Sequence, residues 1–189
     1  KRKNLSKNYL WSIDPIDGTK AFVVGVPTWS NLIGLVYKNK SIIGLANFPE
    51  LNRYYLNDEK NSYLFKKNKK IFIKSSKRNN LKKIKVIINL HGKNNHKKQN
   101  YLSKKLNQSV NVLKIDALSY CLLAEGKVEA VIESNLKPYD IVPLIAIIKN
   151  SGGHITDWNN KTAVKGGNIL ATANKNLHQK LLKIVKKIA

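Results

Sequence analysis

Asp14 and Asp17 stand three residues apart in the stretch WSIDPIDGTKAF, Trp11 to Phe22. Pro15 fixes its own φ and biases Asp14 towards an extended conformation. Gly18 lets backbone approach a ligand closely. A turn of this kind aims two carboxylates and the carbonyl of Ile16 into one small volume. Like charges that close are costly unless a cation sits between them. Hard divalent cations such as Mg²⁺ take oxygen ligands, with substrate phosphate often completing the shell. A helical turn starting near Gly18 and Thr19 would turn its free N–H groups towards a phosphate. The same residues also suit an ordinary Asx turn after a strand. A third carboxylate, Asp140, opens the apolar segment NLKPYDIVPLIAIIKNSGG. It could cap that helix or be offered to a metal.

Taken together, the two segments resemble the inositol monophosphatase family of Mg²⁺-dependent, lithium-sensitive phosphatases. The family's W-x-x-D-P-[IL]-D-G-T motif is matched by Trp11 through Thr19. Its second motif, W-D-x-x-[AP]-x-x-x-[IL]-[IV]-x-x-[AS]-G-G, is matched by Asp140 through Gly153, with Tyr139 replacing the tryptophan. Both occur in order, with AEGKVEAVIE between them. The resemblance covers essentially the whole chain and corresponds to the last two thirds or so of a family member. It implies that Asp14 bridges metal ions, that the Ile16 carbonyl binds one of them, and that Asp17 and Asp140 ligate a second. Two or three Mg²⁺ per site are implied. Gly18 and Thr19 would offer N–H groups to the phosphate, and the Thr19 hydroxyl would orient the attacking water in an in-line displacement. No covalent intermediate is implied, so Cys121 reads as a buried helix residue. The family also draws a metal-binding glutamate and an acidic partner for its threonine from upstream of the first motif. Only ten residues precede Trp11, none of them acidic, and the chain contains no methionine. The expectation is an N-terminally truncated unit, weak or inactive alone.

Within the family, WSIDPIDGTKAFVVGVPTWSNLIGL and LKPYDIVPLIAIIKNSGG are most similar to the histidinol-phosphate phosphatases. Where inositol enzymes carry a small apolar Gly-[ST]-Ala-Ala wall, this chain has Lys114-Ile115-Asp116-Ala117. A carboxylate at Asp116 would favour the amine of histidinol phosphate over a neutral polyol. Glu133 matches the family's substrate-contacting glutamate, seven residues before Asp140. The plain alternatives are a helix cap for Asp116 and a solvated strand end for Glu133. Tyr120 is a candidate pocket residue. His91, His96, His154 and His178 lack metal-ligand spacing and read as surface or loop residues. The reading is thus a phosphoric monoester hydrolase of histidine synthesis, acting on a small phosphorylated metabolite. Its neighbours are an inositol monophosphatase or a 3′-phosphoadenosine-type nucleotidase of the same fold. A regulatory or scaffold relic without catalysis is a third reading.

The elements that must position these residues are legible in outline. Tyr9 to Ile13 alternates as a strand does, and Asp14 to Thr19 reads as a turn. Trp29–Tyr37 and Ser41–Asn47 form a hairpin around KNK, Arg53–Leu56 and Ser62–Phe65 a second around NDEKN, and Lys70–Lys74 adds a strand. Lys85–Leu90, Val110–Ile115, Val128–Ile132, His154–Asp157 and Asn168–Ala173 read as further strands. Helices are expected over His96–Leu106, Ala117–Glu125 and Tyr139–Asn150, the last ended by Gly152 and Gly153. Lys175–Ile188 closes the chain as an amphipathic helix with Leu177, Leu181, Leu182, Ile184, Val185 and Ile188 inward. Hairpins fill residues 1–83 and strand–helix alternation residues 84–189. The fold class is α/β or α+β, a layered sandwich of the inositol monophosphatase/fructose-1,6-bisphosphatase type without its N-terminal helical segment.

Composition bounds the rest. The chain has 189 residues, 42% of them hydrophobic, enough for one real core. No apolar run reaches the roughly 18 residues of a membrane span, and no signal-peptide pattern is present. One cysteine excludes an internal disulfide framework and fits a reducing cytoplasm. The net charge of +24 raises a nucleic-acid-binding module as a reading of a different class. The lysines are spread from end to end, with no zinc-finger spacing, aromatic RNA-binding motif or recognition helix. No specific nucleic acid and no membrane partner is expected, and a homodimer is compatible with the pattern.

Overall fold

The computed structural model describes residues 8–92, 95–106, 110–111 and 113–188. Two sheets organise it. The first is a meander of six antiparallel strands in chain order: β1 (Tyr9–Asp17), β2 (Ser30–Tyr37), β3 (Lys40–Phe48), β4 (Arg53–Asn57), β5 (Ser62–Lys66) and β6 (Lys69–Ile73). Lys38 and Asn39 both have positive φ in the two-residue turn between β2 and β3, the conformation that matches the twist of a tight hairpin. The second sheet contains β7 (Val86–Asn89), β8 (Val110–Asn111), β9 (Ala130–Leu136), β10 (His154–Asp157) and β11 (Gly167–Thr172), in the order β10-β11-β9-β7-β8. Strand β7 runs parallel to β8 and β9, while β9, β11 and β10 are antiparallel neighbours.

Among the described residues, five α-helices complete the layers: α1 (Thr19–Val23), α2 (Asn95–Leu106), α3 (Ala117–Ala124), α4 (Pro138–Asn150) and α5 (Lys175–Val185). Helices α3 and α4 carry apolar residues nearly all round, because they lie between the two sheets. One core joins Leu32, Phe48, Tyr55 and Leu64 of the first sheet to Cys121, Leu123, Ile141, Ile145 and Ile148 of these helices and to Val131 and Ile169 of the second sheet. A second core packs Val86, Ile88, Ile132 and Leu170 against Leu102 and Leu106 of α2 and Leu177, Leu181 and Val185 of α5. Among the described residues, nothing covers the outer face of the first sheet in this way: Trp11, Ile13, Tyr54 and Phe72 are exposed. None of the described lysines and arginines is buried, so the high charge is spread over solvated faces.

Three boundaries differ from the sequence expectation. The turn expected over Asp14 to Thr19 is a bulged strand end. Asp14 pairs with Leu32 and Asp17 with Ser30, and the register shifts between them, where Pro15 has no N–H to give the ladder. The strand expected over Val110–Ile115 is confined to Val110–Asn111; residue 112 lies outside the described residues, and 113–115 are irregular. Strand β9 continues four residues past Ile132, so Glu133 lies within it and is buried rather than ending a solvated strand. In α5, Leu182 and Ile184 are only partly buried, and His178 takes a buried position instead.

Candidate active site

The bulge at the end of β1 turns Asp14 and Asp17 towards the first turn of α4. Each of Asp14, Asp17 and Asp140 offers a carboxylate oxygen, and the three oxygens lie within 4.8 Å of one another. Local bonds hold each group. Asp14 Oδ1 accepts from the Ile16 N–H at 3.2 Å. Asp140, third in its helix, reaches back so that Oδ2 accepts the Lys137 N–H at 2.7 Å. The cap foreseen as an alternative to ligation is therefore made by the same carboxylate. Asp17 Oδ2 accepts from Ser30 Oγ at 3.2 Å and from the Ala117 N–H at 3.0 Å. Asp17 thus caps α3 from 100 residues away.

Electrostatics sharpen the picture. Burial pushes the Asp17 carboxyl up to about 8, against the lowering effect of the Ala117 N–H, and the charges of Asp116, Asp14 and Asp140 add to the rise. Burial also raises Asp14 and Asp140. Among the described residues, no Lys, Arg or His lies within 4.0 Å of any of the three carboxylates. A hard, oxygen-seeking divalent cation fits this donor set.

Gly18 sits at φ +76, a left-handed conformation that starts α1 immediately after Asp17. The Thr19 hydroxyl donates to the Ile16 carbonyl at 3.1 Å. Two hollows meet at Asp17, Gly18, Thr19 and Asp140. The smaller, of about 480 Å³, also touches Asp14 and Ile16. The larger, of about 590 Å³, runs towards Lys20, Lys114, Asp116, Tyr120 and Glu133.

Asp116 precedes α3 but makes no capping hydrogen bond with its side chain, and its backbone is at φ 41, ψ −127. The Asp17 carboxylate has taken the first amide of the helix. The Asp116 carboxylate instead lies against Gly18, where a Cβ would meet its Oδ2 at 3.0 Å. A residue other than glycine in that backbone region stores strain of order 1–3 kcal/mol, a pattern concentrated at functional sites. Glu133 is anchored on both oxygens: Oε1 accepts from Asn89 Nδ2 at 2.6 Å, and Oε2 from the Tyr120 hydroxyl at 2.9 Å.

Sequence reasoning missed Ser30, Asn89 and His91. His91 lines the larger cavity with Asn89. A signal existed for these two. Asn89 ends the apolar run VII on a strand parallel to its neighbours, and ligands in such sheets gather beyond the carboxyl ends of the strands. Of the other histidines, His96 is exposed and His154 half-buried. His178 departs from the surface reading altogether. It is 1% exposed, with its ring nitrogens 2.9 Å from Thr156 Oγ1 and 3.1 Å from Thr172 Oγ1.

Several known proteins resemble this chain in sequence and fold. The chloroplastic bifunctional phosphatase IMPL2 of Arabidopsis thaliana is 33% identical over 209 residues, covering 95% of this chain and 54% of that protein. A histidinol-phosphatase of Chlorobaculum parvum is 26% identical, with 91% of this chain and 66% of the relative covered. The chain thus spans about half to two thirds of the length of these relatives. The solved inositol monophosphatase of Zymomonas mobilis superposes with a TM-score of 0.86 at 25% identity, covering 98% of this chain and 72% of that one. The sequence profile of the inositol monophosphatase family matches residues 1–189. With the two aspartate motifs brought to one cleft of a shared sandwich, the chain belongs to the inositol monophosphatase family.

Proposed function

We propose that this chain forms the catalytic core of a Mg²⁺-dependent phosphomonoesterase that hydrolyses histidinol phosphate. The observation that carries the reading is the convergence of Asp14, Asp17 and Asp140 beside a cavity whose wall holds two more carboxylates, Asp116 and Glu133. The first three would hold the metal, with the Ile16 carbonyl beside them. Bound Mg²⁺ supplies Lewis-acid stabilisation of the charge on the phosphoryl oxygens. The Gly18 and Thr19 N–H groups bind the phosphate. The Thr19 hydroxyl donates its hydrogen bond to the Ile16 carbonyl, so the lone pairs of its oxygen can accept a hydrogen bond from the attacking water and orient it. Asp116 and Glu133 bind the ammonium end of the substrate and align the ester. Three relatives named histidinol-phosphatases favour this substrate.

A second reading rests on relatives of equal similarity named fructose-1,6-bisphosphatase/inositol-1-monophosphatase: a phosphatase of neutral sugar or polyol esters. Phosphate release by the purified full-length parent of this chain, with and without Mg²⁺, separates the two. Histidinol phosphate should exceed inositol 1-phosphate, fructose 1,6-bisphosphate and 3′-phosphoadenosine 5′-phosphate in kcat/KM. A preference for a neutral ester would install the second reading.

A further inference from the structure

Glu133 is buried at 2% exposure, and both its hydrogen-bond anchors, Asn89 and Tyr120, are neutral. Neutral donors fix the direction of a carboxylate without cancelling its charge. Among the described residues, the one cation-forming side chain within 4.0 Å of it is His91, with Nε2 3.5 Å from Oε1. The His91 backbone is clamped to β9: its N–H donates to Ser134 Oγ at 2.7 Å, and that hydroxyl donates to the His91 carbonyl at 3.1 Å. The ring itself is 43% exposed and lines the same cavity as Glu133 and Asp116. The ionisable groups facing His91 are Glu133 on β9, Asp116 ahead of α3 and Lys20 on α1, with Lys114 also on the cavity wall.

We propose that His91 determines specificity in this cavity: neutral, it leaves Glu133 and Asp116 to bind an ammonium-bearing phosphomonoester, and protonated, it takes the place of that ammonium. The inference rests on the proposed reading of the site as one for a cationic ester. Two cations cannot share one anchored carboxylate without loss, so imidazolium and substrate ammonium compete. Such coupling is reciprocal: whatever factor protonation costs the ligand, the ligand costs protonation. The hydrogen bond to Glu133 raises the His91 pKa above the usual histidine value. The charges of Glu133 and Asp116 support the rise, while burial and Lys20 oppose it. The shift is upward from the usual histidine value, the direction that extends the competition to higher pH.

The test is an NMR titration of the labelled His91 ring from pH 5 to 9, assigned with His91→Asn. It is run on the protein alone, with saturating L-histidinol, and with myo-inositol as the neutral control. L-histidinol should lower the proton affinity of His91 by roughly three- to tenfold, the effect expected of one partly screened charge, and myo-inositol should leave it unchanged. A midpoint that ignores L-histidinol, or responds equally to both, overturns the inference. Kinetics form the second arm. The kcat/KM ratio of L-histidinol phosphate to glycerol 2-phosphate should rise more steeply from pH 6 to 8 in the wild type than in His91→Asn, and equal slopes contradict the proposal. Failure of the substrate reading has a different signature. An enzyme that prefers the neutral ester while His91 still responds to L-histidinol refutes the substrate and leaves the competition standing. A fixed His91 midpoint in an enzyme that prefers L-histidinol phosphate refutes the competition alone.

Discussion

On the proposed reading Asp17 holds two jobs in one carboxylate, capping α3 and ligating the metal, and substitution can separate them. Asparagine keeps an oxygen for the Ala117 N–H but loses the charge. Asp17→Asn should leave the urea midpoint near wild type while Mg²⁺-dependent hydrolysis falls further than the 10- to 100-fold typical of groups that merely support a ligand. Asp17→Ala should lose the same activity and also about 1 kcal/mol of stability, the usual worth of a helix cap. Equal unfolding midpoints for the two variants would remove the capping role. Asp116 separates differently. Glycine accepts its positive φ without strain, so Asp116→Gly should unfold at the same or a higher urea concentration than wild type. It should nevertheless weaken histidinol phosphate by about 1.5–3 kcal/mol, or roughly tenfold or more in kcat/KM, relative to a neutral ester. Equal losses on both esters would make Asp116 structural. Much of this site was legible in the sequence, because Asp14, Pro15, Asp17 and Gly18 are consecutive and their chemistry is local. The capping of α3 by Asp17 was not legible, since nothing near either residue marks the other.

At the scale of elements, α4 carries Asp140 and is set by contacts with β2 and β3. Gly34 and Gly44 face each other in that hairpin, and Pro143 of α4 lies against both. A Cβ on Gly44 would come within 1.8 Å of the Pro143 carbonyl oxygen, and one on Gly34 would lie 3.0 Å from its backbone. Ser41 and Ser62 fasten the helix by donating to the carbonyls of Val142 and Ile147. Gly44→Ala must push α4 away, so it should cost about 1–3 kcal/mol in urea denaturation. It should also lower hydrolysis when both proteins are fully folded, because Asp140 moves with its helix. A destabilised variant with unchanged kcat would mean that the site tolerates the shift. From the sequence alone, these glycines look like weak points in strands, as glycine usually is. Their purpose becomes visible only with the helix in place. Alternation and the glycines ending α4 marked most strands and helices correctly, whereas the strand expected over Val110–Ile115 pairs with β7 only at Val110 and Asn111 among the described residues.

For the molecule as a whole, the buried His178 links stability to pH. Burial, reinforced by the neighbouring His154, lowers its pKa from the ordinary 6.5 to about 4. The folded protein therefore binds fewer protons at this residue than the unfolded chain between those values. No penalty exists above about pH 6.5; below it, stability falls with pH until about pH 4, by up to ~3 kcal/mol. Urea midpoints at pH 7.5 and 5 should differ more for wild type than for His178→Gln, and parallel losses would exclude His178 as the cause.

The arrangement of the first sheet bears on the order of events in folding. Every pairing from β1 to β6 joins consecutive strands, so this sheet grows from contacts of low sequence separation, which form early. It already contains Asp14 and Asp17. The Ala117 amide that steadies Asp17 and the Asp140 carboxylate that completes the trio arrive from the far half of the chain, after a loop closure that slows with length. Two thirds of the carboxylate cluster can thus exist in a half-folded chain without forming a competent centre. On the proposed reading, a divalent ion held by the trio would be captured only once folding has finished, and it would fasten the first strand to α4 as a clasp added last.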